Sequence, residues 1–364
     1  MAITRITIAE FLDLAKQHPV LDVRSPGEYQ HAHIPGAHSF PLFTDEERKR
    51  VGTAYKQESQ QKAIKFGLGY FGGRMVSMVE EAERICHKKV STGAEKPIVL
   101  IHCWRGGMRS AGVAWLLDLY GFKVYTLAGG YKAFRHWVLA QFAQPHAFRI
   151  VGGYTGSGKT EALQALAKKG ASVIDLEGLA HHRGSAFGNL GQPPQPSQEM
   201  FENLLATALE KAAVERQDGK SFTWLEDESQ RIGDLNIPVV LFRQMRKQPL
   251  FFLQIPFEER LNFIVQQYGS FEKERLVNAI IRIKKRLGGL ETKTAINFLL
   301  EDDIKNCFAI LLHYYDKFYL KSLQNREDFA TVFHPLPLSG VDAEFSADRL
   351  LALANTALTQ RPVT

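Results

Sequence analysis

The sequence contains a cysteine in a setting that suits thiolate chemistry. Cys103 follows the apolar segment Ile98 to His102, which predicts a buried strand, and precedes a glycine-containing loop and a predicted helix. Such a loop turns backbone N–H groups toward the sulfur, and the helix N-terminus adds partial positive charge. We expect the two loop arginines to favour the thiolate as well. Cys103 is therefore predicted to be a nucleophile and chalcogen carrier in an anion-binding loop formed by Arg105, Gly106, Gly107 and Arg109.

A second motif predicts a phosphate-binding loop. Residues 153–160, GYTGSGKT, fit the pattern G-x-x-x-x-G-K-[ST] and lie between a predicted strand and a predicted helix. Glycines let backbone N–H groups converge on an anion at the N-terminus of the helix. We expect Lys159 to reach the terminal phosphate and the Thr160 hydroxyl to ligate Mg²⁺. The predicted diphosphate-binding residues are Gly153, Gly156, Ser157, Gly158, Lys159 and Thr160.

Polar residues after two later strands are candidates for completing this site. Asp175 ends one predicted strand, and Glu226, Asp227 and Glu228 end another. Any of these carboxylates could hold Mg²⁺ through water, or they form a solvated acidic cluster. Arg183 could reach a diphosphate or lie on a loop surface. The candidates for Mg²⁺ or diphosphate binding are therefore Asp175, Arg183, Glu226 and Glu228, and we expect no structural metal and no tightly bound cofactor.

Two basic segments have the composition of nucleic-acid contacts. The first lies within residues 44–75, where aromatic residues alternate with cations. Four glycines in this segment favour either a flexible backbone or a close approach of the backbone to another group. The second covers residues 282–286. Phosphate contact and base stacking use these residue types, although solvated helix faces have the same composition. The candidate RNA-binding residues are Arg48, Lys49, Arg50, Lys56, Arg282, Lys285 and Arg286.

The elements that must position these residues alternate between strands and helices. We predict an α/β protein with two parallel sheets, in which a domain of residues 1–144 precedes a domain of residues 145–364 with a helical subregion at about 257–320. The predicted strands cover residues 20–23, 98–102, 124–127, 148–151, 172–176, 221–225, 250–255 and 331–333. The main predicted helices cover residues 9–17, 110–120, 131–142, 159–169 and 198–216, and Thr7 is a candidate N-cap of the first.

Composition limits the class of protein. The 364 residues are 45% hydrophobic and 23% charged, as in ordinary globular domains. We expect no membrane span, no signal peptide and, with only three cysteines, no disulfide framework, which together favour a cytoplasmic location. Residues 1–144 contain 19 Lys and Arg against 13 Asp and Glu, whereas residues 145–364 contain 26 of each. The excess of +6 in the first part permits an RNA partner.

Three stretches of the first domain resemble a rhodanese domain. They are PVLDVRSPGEYQHAHIPGA (19–37), the cysteine loop and GFKVYTLAGGYKAF (121–134). Simple rhodaneses usually have four residues between the cysteine and the loop arginine, whereas this chain has five, at 104–108. The longer loop favours a larger or different anionic group, and residues 44–75 look like an insertion relative to a minimal rhodanese.

The order of rhodanese and P-loop domains, with CWRGGMRS and GGYTGSGKT, resembles the tRNA 2-selenouridine synthase family across essentially the whole chain. Residues 175–188, 194–203 and 224–233 share the resemblance. It implies an enzyme that acts on wobble 2-thiouridine in the anticodon loop of tRNA. In the reaction that the resemblance implies, geranyl diphosphate would alkylate the sulfur, and selenium from selenophosphate would then displace the geranylthiol. Cys103 would carry the selenium as a perselenide or bind its donor, and an enzyme that supplies selenophosphate is a candidate partner.

The geranyl chain needs an apolar slot, for which Phe201, Phe242, Phe251 and Phe252 are candidates, although an apolar stripe is usually core. Two other functions compete with the implied one. An ATP-using tRNA sulfurtransferase built from the same two modules would need the same residues. A regulatory protein built on inactive modules is disfavoured because the chain keeps both Cys103 and Lys159.

Overall fold

The computed structural model describes residues 3–87, 96–217 and 222–359. The chain divides into two compact units, Met1–Gln141 and Phe142–Thr364. Each unit contains a five-stranded parallel sheet with helices, so the predicted α/β class is confirmed. Among the described helices, none is long and apolar enough to cross a membrane.

The sheet of the first unit has the strand order β1-β5-β4-β2-β3. The strand β4 lies between β5 and β2, so the residue that follows it emerges at the carboxyl edge of a buried central strand. Thr7 caps the first helix through a reciprocal contact with Glu10, as the sequence predicted. The strands are β1 (Thr4–Ile6), β2 (Val20–Asp22), β3 (His38–Ser39), β4 (Ile98–His102) and β5 (Lys123–Leu127). The helices are α1 (Ile8–Ala15), α2 (Pro26–His31), α3 (Asp45–Gln57), α4 (Gln60–Gly72), α5 (Met75–Cys86), α6 (Met108–Tyr120) and α7 (Gly130–Gln141).

The glycine-rich part of the insertion at 44–75 is helical over Gln60–Gly72, and of the two roles expected for its glycines the structure shows a close approach at one position. Thr44 and Ser59 cap α3 and α4 with side-chain hydrogen bonds. Burial of Phe71 and other apolar residues of α4 offsets the low helix propensity of its glycines. Only Gly67 serves a close approach, because a Cβ there would lie 3.3 Å from the Phe43 ring.

The sheet of the second unit has the order β12-β11-β6-β8-β7. Its strands are β6 (Phe148–Gly153), β7 (Ser172–Val173), β8 (Thr223–Glu226), β11 (Leu250–Gln254) and β12 (Phe333–Pro337), and β9 (Arg231–Ile232) and β10 (Leu235–Asn236) form a separate antiparallel pair. The helices are α8 (Lys159–Lys168), α9 (Leu176–Ala180), α10 (Gln198–Gln217), α11 (Val239–Arg246), α12 (Phe257–Tyr268), α13 (Lys273–Leu287), α14 (Gly289–Leu300), α15 (Ile304–Gln324), α16 (Phe329–Val332) and α17 (Ala343–Thr359). The predicted helical subregion corresponds to α12–α15, which share an apolar cluster.

Three predicted strands of this unit differ from the structure. The strand predicted at 172–176 ends at Val173, because Asp175 accepts a hydrogen bond from the Gly178 N–H and caps α9. The strand predicted at 221–225 is β8, and Ser221 lies outside the described residues. The strand predicted at 331–333 begins only at Phe333, since the preceding residues form α16. Its two prolines are tolerated because β12 is an edge strand.

Candidate active sites

Cys103 lies at the carboxyl end of β4, where loop and helix backbone surround its sulfur. The Gly107 N–H donates to Sγ over 3.4 Å, and Ser110 Oγ lies 3.3 Å from Sγ. The Ser110 hydroxyl also lies 3.0 Å from the Gly107 carbonyl oxygen, so its one proton can point to this carbonyl or to the sulfur. Only 3% of Cys103 is exposed. The sulfur therefore lies in a closed cradle of hydrogen-bond donors at the start of α6.

The pKa of the Cys103 thiol is lower than its ordinary value, and the predicted backbone N–H groups contribute to this shift. Burial raises this pKa, but the Ser110 hydroxyl and the N–H groups of Gly107, Ser110 and Arg105 outweigh burial by hydrogen bonding to sulfur. The Arg109 guanidinium instead donates to the Glu28 carboxylate over 2.7 Å, and the Arg105 side chain is exposed. The hydrogen-bond donors around the sulfur therefore lower this pKa in place of the two arginine charges that we expected. Ser110 is one of these donors, and it was not among the predicted site residues.

Two glycines, Gly106 in this loop and Gly130 at the start of α7, allow neighbouring backbone segments to pack closely against each other here. Gly106 has φ +65°, and a Cβ there would lie 2.6 Å from the Leu127 carbonyl oxygen. Gly130 has φ +60°, and a Cβ there would lie 2.3 Å from the Cys103 carbonyl oxygen. That carbonyl accepts a 2.8 Å hydrogen bond from the Tyr131 N–H in α7. The conformation of the cysteine loop is therefore fixed by close backbone contact that larger residues would prevent.

The phosphate loop follows β6 and enters α8, as predicted. Gly156 and Gly158 have φ angles of +81° and +70°, which glycine adopts without strain. At Gly156 a Cβ would lie 2.8 Å from the Arg260 carbonyl oxygen. The Lys159 ammonium donates to the Gly153 carbonyl over 3.1 Å, within the loop itself. Ser157 is buried in the same loop, and all the predicted loop residues line one cavity.

Two acidic side chains at this loop, Glu177 and Glu228, interact with each other, and of these only Glu228 was predicted to bind Mg²⁺ or diphosphate. Glu161 and Asp227 line the same cavity. The Thr160 hydroxyl donates to Glu177 over 2.8 Å, and Glu177 and Glu228 hydrogen-bond to each other. Burial raises the pKa of both carboxyl groups, and the neighbouring Glu177 raises that of Glu228 further. Glu177 was missed because the sequence placed it after a longer β7, although it lies in the first turn of α9.

The other two carboxylates predicted for this site do not line the cavity at the phosphate loop, although Asp175 raises the pKa of Glu177 and Glu177 raises that of Glu226. Glu226 is fully buried and accepts the Leu176 N–H over 3.1 Å. Asp175 caps α9 and lines a separate cavity with residues of β7 and α10. The carboxylates beside Thr160 are therefore Glu177 and Glu228.

A cavity of about 510 Å³ extends from the phosphate loop to an apolar wall. Arg183 lines it, as predicted for a residue that reaches a diphosphate, and Arg246 and Arg286 line it as well. The wall is contributed mainly by α12 and α15 and includes Phe187, Ile264, Tyr268, Phe308, Leu311 and Leu312. None of the four phenylalanines proposed from the sequence for an apolar slot lines this cavity. Phe251, for example, is packed in the sheet core against Trp224.

The predicted RNA-binding residues are separated between the two units. Arg48, Lys49, Arg50 and Lys56 are exposed on α3. Arg48 lies 3.6 Å from Glu28, the residue that also binds Arg109 of the cysteine loop. In the second unit, Arg282 donates to Asn189, Lys285 is exposed, and Arg286 borders the cavity described above. Each basic segment therefore adjoins the candidate site of its own unit.

Two family models match the chain. A rhodanese-like domain matches residues 7–136, and the tRNA 2-selenouridine synthase AAA domain matches residues 146–334. A relative from Pseudomonas putida called tRNA 2-selenouridine synthase is 36% identical over 334 residues, which are 83% of this chain and 88% of that protein. Relatives of the same name from Marinobacter nauticus and Bdellovibrio bacteriovorus are 38% and 32% identical, over 78% and 90% of this chain and 79% and 94% of their own lengths. The chain belongs to the tRNA 2-selenouridine synthase family.

Proposed function

We propose that this protein is an enzyme that converts wobble 2-thiouridine in tRNA to 2-selenouridine through a geranylated intermediate. Geranyl diphosphate and selenophosphate are the donors. The observation that carries the proposal is the cavity of about 510 Å³, which joins a phosphate loop to an apolar wall. A diphosphate attached to an unsaturated hydrocarbon chain matches both parts. The name of the relatives supports tRNA as the partner.

In the first step, the sulfur of 2-thiouridine attacks C1 of geranyl diphosphate, the bond from C1 to the diphosphate oxygen breaks, and the N3 proton leaves. Lys159, the loop N–H groups and Arg183 stabilise the charge that develops on the diphosphate. Hard oxygen donors at Thr160, Glu177 and Glu228 fit Mg²⁺, which would neutralise further charge on the leaving group. Among the described residues no group of three or more His, Cys, Asp and Glu could hold a metal.

In the second step, the selenium of selenophosphate, held at Cys103, attacks C2 of the geranylated base, and geranylthiolate leaves. Water then attacks the phosphorus, the Se–P bond breaks, and 2-selenouridine and inorganic phosphate are released. The lowered pKa of the Cys103 thiol and the donors around it support a role in holding the selenium. Alkylation helps this step because a thiolate is a better leaving group than a thiocarbonyl sulfur. The exposed cations of α3 and the Arg286 side chain support contacts with phosphates of the anticodon loop. A tRNA substrate and a selenophosphate-supplying enzyme as partner favour a cytoplasmic location.

The test is an incubation of an anticodon stem-loop that contains 2-thiouridine with geranyl diphosphate, followed by selenophosphate. We expect nucleoside mass spectrometry to detect the geranylated base first and 2-selenouridine second. RNA-stimulated ATP hydrolysis without geranylation would contradict the proposal and favour an ATP-using sulfurtransferase.

A further inference from the structure

One helix of the second unit contacts both ends of the cavity. The N-terminal half of α15 contributes Phe308, Leu311 and Leu312 to the apolar wall. Its C-terminal half contains Tyr319, which contacts Gly153 of the phosphate loop directly, and Asp316, which contacts this loop through Arg260. Phe308 and Tyr319 are eleven residues apart, which corresponds to about 16 Å along an α-helix. The helix therefore spans the distance between the wall and the loop.

Tyr319 contacts the first glycine of the phosphate loop. Its hydroxyl accepts a 3.3 Å hydrogen bond from the Gly153 N–H and donates a 2.7 Å hydrogen bond to Asp227, directly after β8. Arg326 holds the other oxygen of Asp227. The Tyr319 hydroxyl is thus fixed on both sides, and it links α15 to the ends of two neighbouring strands.

Asp316 reaches the same loop through an arginine. Arg260 is 3% exposed and forms a two-pronged ion pair with Asp316, at 3.0 and 2.7 Å. The same guanidinium donates to the Thr155 carbonyl over 3.0 Å, inside the phosphate loop. Because buried Arg260 depends on Asp316 for its counter-charge, a displacement of α15 disturbs the contact with Thr155.

We propose that Asp316 and Tyr319 are positioning residues that couple the two ends of the cavity. An apolar chain packed against Leu311 and Leu312 holds α15 where these two residues support the phosphate loop. The length of the chain on the substrate then controls how well its diphosphate is bound and activated. This inference rests on the proposed function, because it takes the occupant to be a prenyl diphosphate.

The coupling would let the enzyme select substrates by chain length in two ways. The chain contacts the apolar wall, and this contact also positions the diphosphate at the reacting centre. A diphosphate with a short chain fills the phosphate loop but does not contact the wall contributed by Phe308, Leu311 and Leu312. The binding energy of the remote chain is then not available to position the reacting diphosphate. A geranyl chain provides that contact and increases turnover as well as affinity.

The test compares two ligands with the full-length protein, each measured by titration calorimetry. The ratio of the dissociation constant of inorganic diphosphate to that of geranyl diphosphate measures the effect of the chain. Tyr319→Phe removes one hydroxyl, and Asp316→Asn removes one charge. We expect either change to reduce this ratio roughly three- to tenfold. The matched control is Asp303→Asn at the N-cap of α15, which keeps the cap and does not line the cavity; it should leave the ratio unchanged.

A double-mutant cycle with Leu312→Ala gives an independent measurement. If the two ends are coupled, Tyr319→Phe weakens geranyl diphosphate binding much less in the Leu312→Ala background than in the wild type. Equal effects in both backgrounds, with thermal unfolding showing folded variants, would overturn the coupling and leave a purely structural role. A wild-type ratio near one would instead contradict the proposed prenyl site itself, so the two failures are distinguishable.

Discussion

The guanidinium of Arg109 donates a 2.7 Å hydrogen bond to the carboxylate of Glu28, and the other oxygen of that carboxylate lies 3.6 Å from Arg48. Burial raises the pKa of Glu28, but Arg109, the Ser25 N–H and Arg48 together outweigh burial and lower it. Glu28 therefore links the cysteine loop to the basic helix α3. The positive charge of Arg109 is used in this link, and the thiolate depends on other donors.

We expect Ser110→Ala to weaken the reactivity of Cys103. The hydroxyl of Ser110 is the largest contribution that lowers the pKa of this thiol, so its removal raises the pKa. The rate of alkylation by iodoacetamide near neutral pH should fall roughly three- to tenfold. Arg109→Met should shift the pH profile less, because Glu28 already pairs with that arginine, and Ser77→Ala is the matched control in α5. A profile unchanged by Ser110→Ala would refute the role of the hydroxyl.

Cys103→Ala should block insertion of selenium while geranylation continues. The proposed chemistry places the two steps on different units, and the substitution leaves the phosphate loop intact. Mass spectrometry of the treated RNA should show the geranylated base accumulating. Loss of both products from a folded variant would show that the steps are not divided in this way.

Lys159→Ala should suppress geranylation by two orders of magnitude or more, roughly the effect of removing one charged contact to a developing anion. Selenium insertion into RNA that is already geranylated should remain near the wild-type rate. Lys168→Ala, in the same helix but outside the loop, is the matched control. Normal geranyl transfer by the Lys159 variant would rule out the role of the phosphate loop.

Glu177→Gln should raise the Mg²⁺ concentration needed for half-maximal geranylation, by about tenfold. The substitution removes one of the two carboxylates beside Thr160. Asp175→Asn is a sharp control, because asparagine also caps a helix and Asp175 does not line the main cavity. If both variants show the same Mg²⁺ dependence, Glu177 is not a ligand.

The stability of the first unit should depend on pH because His102 is buried. Burial lowers the pKa of His102 from 6.5 to about 4. Between these values the unfolded chain binds a proton that the folded chain does not, so stability is lost as the pH falls. The loss between about pH 7.5 and about pH 5 is about 2 kcal/mol. Urea unfolding should detect this difference between wild type and His102→Gln, and parallel pH curves would contradict it.

The two loops could be predicted because each depends on contiguous residues. The apolar segment before Cys103 and the glycines around Lys159 define a strand, a loop and a helix start without distant partners. The supporting residues could not be predicted in this way. Glu28 lies 81 positions from Arg109, and Tyr319 lies 166 positions from Gly153. Such contacts depend on which strands become neighbours, and local residue patterns do not determine that order.

The apolar wall is a second example of what local residue patterns do not predict. Phe251 and Leu311 are both fully or almost fully buried, yet one belongs to the sheet core and the other lines the cavity. Hydrophobic patterns predict that a residue is buried, but they do not distinguish a packed core from the wall of a ligand site.

The closed cradle around Cys103 also has a consequence for redox damage. Thiolates are oxidised by peroxide in proportion to their ionisation and to their accessibility. The cradle favours ionisation, while the exposure of only 3% restricts access to the sulfur. A cysteine in this setting can remain chemically competent between turnovers without being consumed by sulfenic or sulfinic acid formation, because only reagents that fit the loop can approach it.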